Sequence, residues 1–155
     1  MSNKIRAVYT AILSGLMSIF GILAIPIFLM VGCNVIDYFT GLVAAKYRDE
    51  EINSYKGIRG IVKKICMWLL VLIGSWIDIL INYAVEYVGA GFKLPFIVAT
   101  VVCIWIVVNE IISILENMID IGVAMPPFLM PLVKQIKSSV ENVADDGGKV
   151  HESTE

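Results

Sequence analysis

Apolar positions along this chain come in long uninterrupted blocks rather than in alternation. The stretch from Ala7 to Ile36 contains no charged residue, and after Asp37 the apolar run resumes over Leu42–Ala45. A helix crossing the hydrocarbon core of a bilayer needs about 20 apolar residues, and three regions supply them. The first, Ala7 to Ala45, would be about 58 Å long as one helix, too long for a single crossing. Pro26 lacks a backbone donor and favours a break, so the pattern predicts an N-terminal helix over 7–24 and a span over 25–45. A second span is predicted over 65–85. A third follows Pro95 over 94–115, and its helical pattern continues through Asn109–Asp120. Leu132, Val133, Ile136 and Val140 share one face beside Lys134 and Lys137, which predicts an amphipathic helix over 131–143 lying on an anionic membrane surface. The polar, acidic stretch 144–155 reads as a disordered tail.

The expected fold is therefore an all-α integral membrane protein with one membrane domain over 1–143. It has three transmembrane helices, an N-terminal helix that is either membrane-embedded or interfacial, and the C-terminal amphipathic helix. Composition agrees: 58% of residues are hydrophobic, well above soluble proteins. A formal net charge of −2 gives no reason to expect a nucleic-acid partner. The placement of charge is more informative than its sum. Lys46, Arg48, Lys56, Arg59, Lys63 and Lys64 crowd the first connection, 46–64, whereas the second, 86–93, carries one basic residue, Lys93. By the positive-inside rule the basic loop and the C-terminus face the cytoplasm. The side on which the N-terminus lies stays open, and with it the choice between three and four spans.

No catalytic arrangement stands out, so an enzyme is not expected. His151 has no companion, and Cys33, Cys66 and Cys103 lack metal-ligand spacing, so neither metal nor cofactor is expected. Polar and small residues inside the apolar blocks carry more information. Ala7, Ala11, Ser14, Ser18 and Gly21 fall on one helix side, a stripe that lets membrane helices approach closely. Asn34, Asp37 and Gly41 share a face of the first span, and Gly74, Ser75, Asp78 and Asn82 share one in the second. Asn109, Ser113, Glu116, Asn117 and Asp120 extend the pattern in the third. Acids within a bilayer face a partner or water. The nearest basic residues sit at the loop ends, so one copy is not expected to neutralise Asp37, Asp78 and Glu116. Two readings follow: the faces pack together with protonated or snorkelling acids, or they line contacts in a homo-oligomer and meet water when it opens.

Three blocks also resemble a known family. Asp37-Tyr38-Phe39-Thr40-Gly41 with Ala44-Ala45 is similar to the Asp-Tyr-x-Thr-Gly signature of the toxin secretion/phage lysis holins. Ser54, Gly57, Gly60 and Lys63-Lys64 match that family's Ser-x-x-Gly-x-x-Gly-x-x-Lys-Lys spacing. Asn109-Glu110, Ser113, Glu116-Asn117, Gly122 and Pro126 resemble its third block, in the family's order. The resemblance covers Val35–Leu132 and leaves out the N-terminal helix and the acidic tail. It implies a protein of the bacterial cytoplasmic membrane that oligomerises and opens large non-selective lesions. The lesions release an endolysin or a toxin, with no direct contact to the endolysin required. Asn34, Asp37, Thr40, Gly41, Asp78, Asn109 and Glu116 are the candidate interface or lumen residues. Lys56, Arg59, Lys63 and Lys64 form the candidate cytoplasmic basic loop, with the bilayer itself as the other partner. The alternatives are a small ion channel or transporter subunit, and a non-lytic antiholin or membrane scaffold.

Overall fold

The computed structural model describes residues 3–49 and 54–149. Its described secondary structure is helical throughout: α1 (Asn3–Phe20), a single 3-10 turn (Gly21–Leu23), α2 (Ala24–Tyr47), α3 (Ser54–Tyr87), α4 (Ile97–Asp120) and α5 (Leu129–Lys149). Three helical stretches, Gly21–Tyr47, Gly57–Tyr87 and Ile97–Asp120, are long and apolar enough to cross a membrane. The expected all-helical, three-span architecture is what is found.

The break in the first apolar block falls at Gly21 and not at Pro26. Gly21 has φ +53°, a backbone region that costs glycine little and other residues more. Pro26 instead sits in the first turn of α2, where a backbone N–H has no intrahelical partner and its loss costs nothing. Leu23 and Ala24 are buried just after the turn and anchor the start of α2. α1 packs on the turn and helix that follow it, while Ala7, Ala11, Ser14 and Gly21 of the small-residue stripe are exposed in the single chain. Those four positions are thus left open in the single chain, and Gly21 serves as the corner.

The connection expected as a basic loop over 46–64 is mostly helix. α3 begins at Ser54 and runs for 34 residues, about 51 Å, against a hydrocarbon core of about 30 Å. Lys and Arg are good helix formers, and extending an existing helix adds one hydrogen bond per residue fixed. Gly57 and Gly60 lie within this helix. α2 closes with Arg48 N–H donating to Ala44 O (3.0 Å) and Asp49 N–H to Lys46 O (3.3 Å). Asp49 pays for that turn with φ +52°.

α4 is the hub. α2, α3 and α5 all lie against it, and α2 and α3 are parted by an apolar groove of about 590 Å³. The core gathers Leu23, Met30, Val71, Ala99, Cys103, Ile106 and Val107 around α4. α3 approaches α4 closely at Gly74, where an added Cβ would lie 3.0 Å from Ala99 Cα. Such a position demands glycine, because the obstacle is backbone and cannot rotate away.

α5 departs from expectation twice. It reaches Lys149, so residues 144–149 are helical rather than disordered, while 150–155, with His151, lie outside the described residues. The packed first turns carry the polar ones forward by the same propagation. Nor does α5 project away as a surface helix: it folds back along α4. Val133 is buried with Val108 and Leu115, and Trp105 Nε1 donates to Glu141 Oε1 at 2.9 Å.

Candidate functional site

Toward the basic end of the bundle, the three spans each contribute charge to one cluster. Lys64 of α3 donates from Nζ to Asp37 Oδ2 of α2 at 2.8 Å, to Glu110 Oε2 of α4, and to Asn34 Oδ1 at 3.2 Å. The side chains of Lys64, Asp37 and Glu110 keep only 18%, 16% and 7% of their surface exposed, so this is an interior ionic site. Asn117 Nδ2 of α4 donates to Asp37 Oδ1 and to Thr40 Oγ1, both at 3.2 Å. Thr40 Oγ1 in turn lies 3.0 Å from Ile36 O and 3.2 Å from Asp37 O, within its own helix. Two carboxylates share one ammonium. Asn34 Nδ2 is buried without a hydrogen-bond partner. Breaking a buried pair leaves an uncompensated charge, so each member holds the others in place.

One copy was not expected to neutralise Asp37, Asp78 and Glu116; for Asp37 this geometry supplies a cation within the copy, Lys64, shared with Glu110. Lys64 was assigned to the loop, but as a residue of α3 it reaches inward among the spans. Glu110, which the sequence marked only through the family block, is the second acid of the triad. Its signal was its place within an otherwise apolar run. Gly41 lies beside Asn117, yet an added Cβ there would meet Asn117 Nδ2 at 3.6 Å, an ordinary contact, so close approach does not demand glycine at that position.

Beside the cluster a cleft of about 500 Å³ opens between α3, α4 and α5. Asp37, Lys63, Lys64, Asn109, Glu110, Ser113, Glu116 and Lys137 line it. Glu116 is exposed there, and Asn109 Nδ2 donates to Trp105 O at 2.9 Å. Of the basic residues, Lys63 joins this wall and Lys56 and Arg59 sit further toward the start of α3. At the rim, Arg48 pairs with Asp120 and ties the ends of α2 and α4.

Asp78 is elsewhere, about 21 Å along α3 from Lys64. It was expected on an interface or lumen face. Instead it is 4% exposed and accepts from the backbone N–H of Val98 (Oδ1, 3.0 Å) and Ala99 (Oδ2, 2.9 Å). These are first-turn donors of α4, and Phe96, the residue at the cap position, provides no side-chain cap. A carboxylate from α3 therefore caps α4, where the helix dipole also favours negative charge. Asn82 completes the arrangement by pairing with both backbone groups of Leu94, Nδ2 to O at 2.9 Å and N to Oδ1 at 2.8 Å.

These features define a membrane protein whose three spans are joined by a buried ionic cluster at one end and by side-chain caps at the other. Residues 14–138 match the bacteriophage holin family, and the chain belongs to that family. An uncharacterised protein of Halalkalibacterium halodurans is 32% identical over 115 residues, 74% of this chain and 75% of that one. An uncharacterised protein of Clostridium perfringens is 32% identical over 120 residues, 77% of this chain and 81% of that one. A probable holin of Bacillus phage phi105 is 27% identical over 110 residues, 71% of this chain and 73% of the phage protein. No solved structure matches the chain. The holin family is not an enzyme family.

Proposed function

We propose that the protein self-associates in the bacterial cytoplasmic membrane and opens non-selective lesions wide enough to pass a cell-wall-degrading enzyme or a toxin. The basic end, with Lys46, Arg48, Lys56 and Arg59, faces the cytoplasm in this reading. The observation that carries it is the Lys64–Asp37–Glu110 triad beside an open polar cleft, in a chain of the holin family. The ion pairs of this triad are closed within one copy, although two carboxylates share a single ammonium, so the resting protein can accumulate without a leak. Three helices contribute one residue each, so separating any helix exposes charge that only water or another copy can meet. Large apolar side chains such as Leu69, Ile73, Trp76 and Leu80 cover the outer face of α3 and face lipid, while exposed Ala7, Ala11 and Ser14 of α1 supply a small-residue surface for lateral association. Water entering the polar cleft as helices part then stabilises the opened form. The partners are other copies of the chain and the lipid bilayer. The muralytic enzyme needs only a hole, with no direct contact.

The test is expression with a cytoplasmic muralytic enzyme, following culture lysis and the size of cross-linked oligomers. The parental chain is expected to release the enzyme abruptly after a delay, and Asp37→Leu is expected to change both the delay and the oligomer size. Ion-selective conductance without release of protein-sized cargo would favour a channel and sink the proposal. Unchanged timing and oligomer size in Asp37→Leu would remove the cluster from the mechanism.

A further inference from the structure

The position of α5 poses a problem that the three spans do not. α5 runs antiparallel to α4, and Glu141 meets Trp105, which lies about 12 Å from the start of α4 and about 22 Å from its end. Val140 and Glu141 border a cleft with Gly74, Val98 and Val101, close to the Asp78 end of the bundle. Lys137 lies 5.9 Å from the centre of the Trp105 ring and 3.9 Å from Glu141. α5 thus lies alongside the membrane-crossing length of α4. Yet Lys134, Gln135, Ser138 and Asn142, on the side opposite buried Val133, are all exposed. Such a face is not tolerated against lipid tails; at that depth it must meet water or polar protein.

We infer that α5 is a re-entrant helix whose Lys134–Gln135–Ser138–Asn142 face lines the aqueous path of the lesion. This rests on the lesion-forming reading above and assigns its wall. The side bearing Val133 and Val140 stays on α4. Leu132, Ile136 and Val143, exposed on one flank, meet the neighbouring copy or the bilayer. The polar cleft holding Glu110, Glu116, Lys63 and Lys137 continues this path toward the basic end. The same amphipathic helix could also rest on a membrane surface; in this fold it lies along α4 instead.

The test uses the full chain reconstituted in phosphatidylethanolamine/phosphatidylglycerol vesicles loaded with a fluorescent dextran. The parental chain, with Cys33, Cys66 and Cys103, serves as the labelling baseline. In leaking vesicles a nitroxide on Ser138→Cys is expected to be relaxed by a water-soluble nickel chelate several-fold more than one on Leu80→Cys of lipid-facing α3. A Val101→Cys/Val140→Cys chain is expected to be bridged by a short bifunctional thiosulfonate and to go on leaking as fast as its reduced form. A helix lying on the surface keeps Ser138 wet but holds Val140 far from Val101, so the bridge separates the two arrangements. A lipid-shielded Ser138 label, absence of the bridge, or a bridged chain that stops leaking until reductant restores it overturns the assignment. Dextran release accompanied by any of these leaves the lesion-forming reading standing. No release from the parental chain overturns that reading and this one together.

Discussion

The two polar layers of the bundle contain the same kind of residue and do different work. At the basic end, Asp37 and Glu110 depend on one side chain, Lys64, and all three come from different helices. At the other end, Asp78 depends on two backbone N–H groups in the first turn of α4. Backbone donors stay put for as long as α4 is a helix, so the Asp78 layer is fixed by local structure. An ammonium on a four-carbon stem can change partners when helices shift, so the Lys64 layer depends on how the helices are arranged. An acid in a membrane span is therefore not by itself a lumen residue. What accepts its charge decides the role.

The comparison can be broken most forcefully at Lys64. Replacing it with leucine leaves two buried carboxylates without their cation, and the loss of stability is expected to be about 3–5 kcal/mol, the range for breaking a buried pair. Thermal unfolding in detergent, followed by circular dichroism, reads it. A double-mutant cycle sharpens the contrast: Asp37→Asn and Lys64→Met should couple by roughly 0.5–3 kcal/mol, whereas Asp37→Asn and Asp78→Asn should add. Strong coupling between the two layers would show that they are one network after all.

Asp78→Leu orphans the Val98 and Ala99 donors and is expected to cost about 2–3 kcal/mol, with Asp78→Asn nearer 1 because an amide oxygen still accepts. Equal losses for the two substitutions would mean that charge, not capping, is what matters there. Gly74→Ala places a methyl group 3.0 Å from Ala99 Cα. It should push α3 from α4 at a cost of about 1–3 kcal/mol, the usual range for overpacking, seen as a lower unfolding temperature. The smallest effect lies outside both layers: Asp49→Gly relieves φ +52° and should stabilise by up to about 1 kcal/mol. Because it touches neither polar layer, release timing should stay as in the parental chain.

Helix content and the three long spans were legible in the sequence because both follow from blocks of about 20 apolar residues, a property of the chain read one stretch at a time. Boundaries were less so. Pro26 looked like the break, yet a proline in a helix's first turn costs nothing, and Gly21 made the corner instead. The basic residues of 46–64 looked like a loop because charge marks the membrane edge without saying whether the backbone there is helical. Of the candidate site, Asn34 and Asp37 were found on a face of one helix and Thr40 through the family motif, and Asp37 proved central. Their partners on α3 and α4 could not be read from spacing, since the contacts bridge elements far apart in sequence.

The sequence alone thus determined that the chain is helical, that it belongs in a membrane, and which polar residues stand out in each span. The tertiary structure alone decided what each of those residues answers to. It joined Lys64 to Asp37 and Glu110, turned Asp78 toward the start of α4, and laid α5 along α4. The physical reason is one of range. Hydropathy acts stretch by stretch, whereas a buried charge is resolved by whichever group the fold brings within hydrogen-bonding distance.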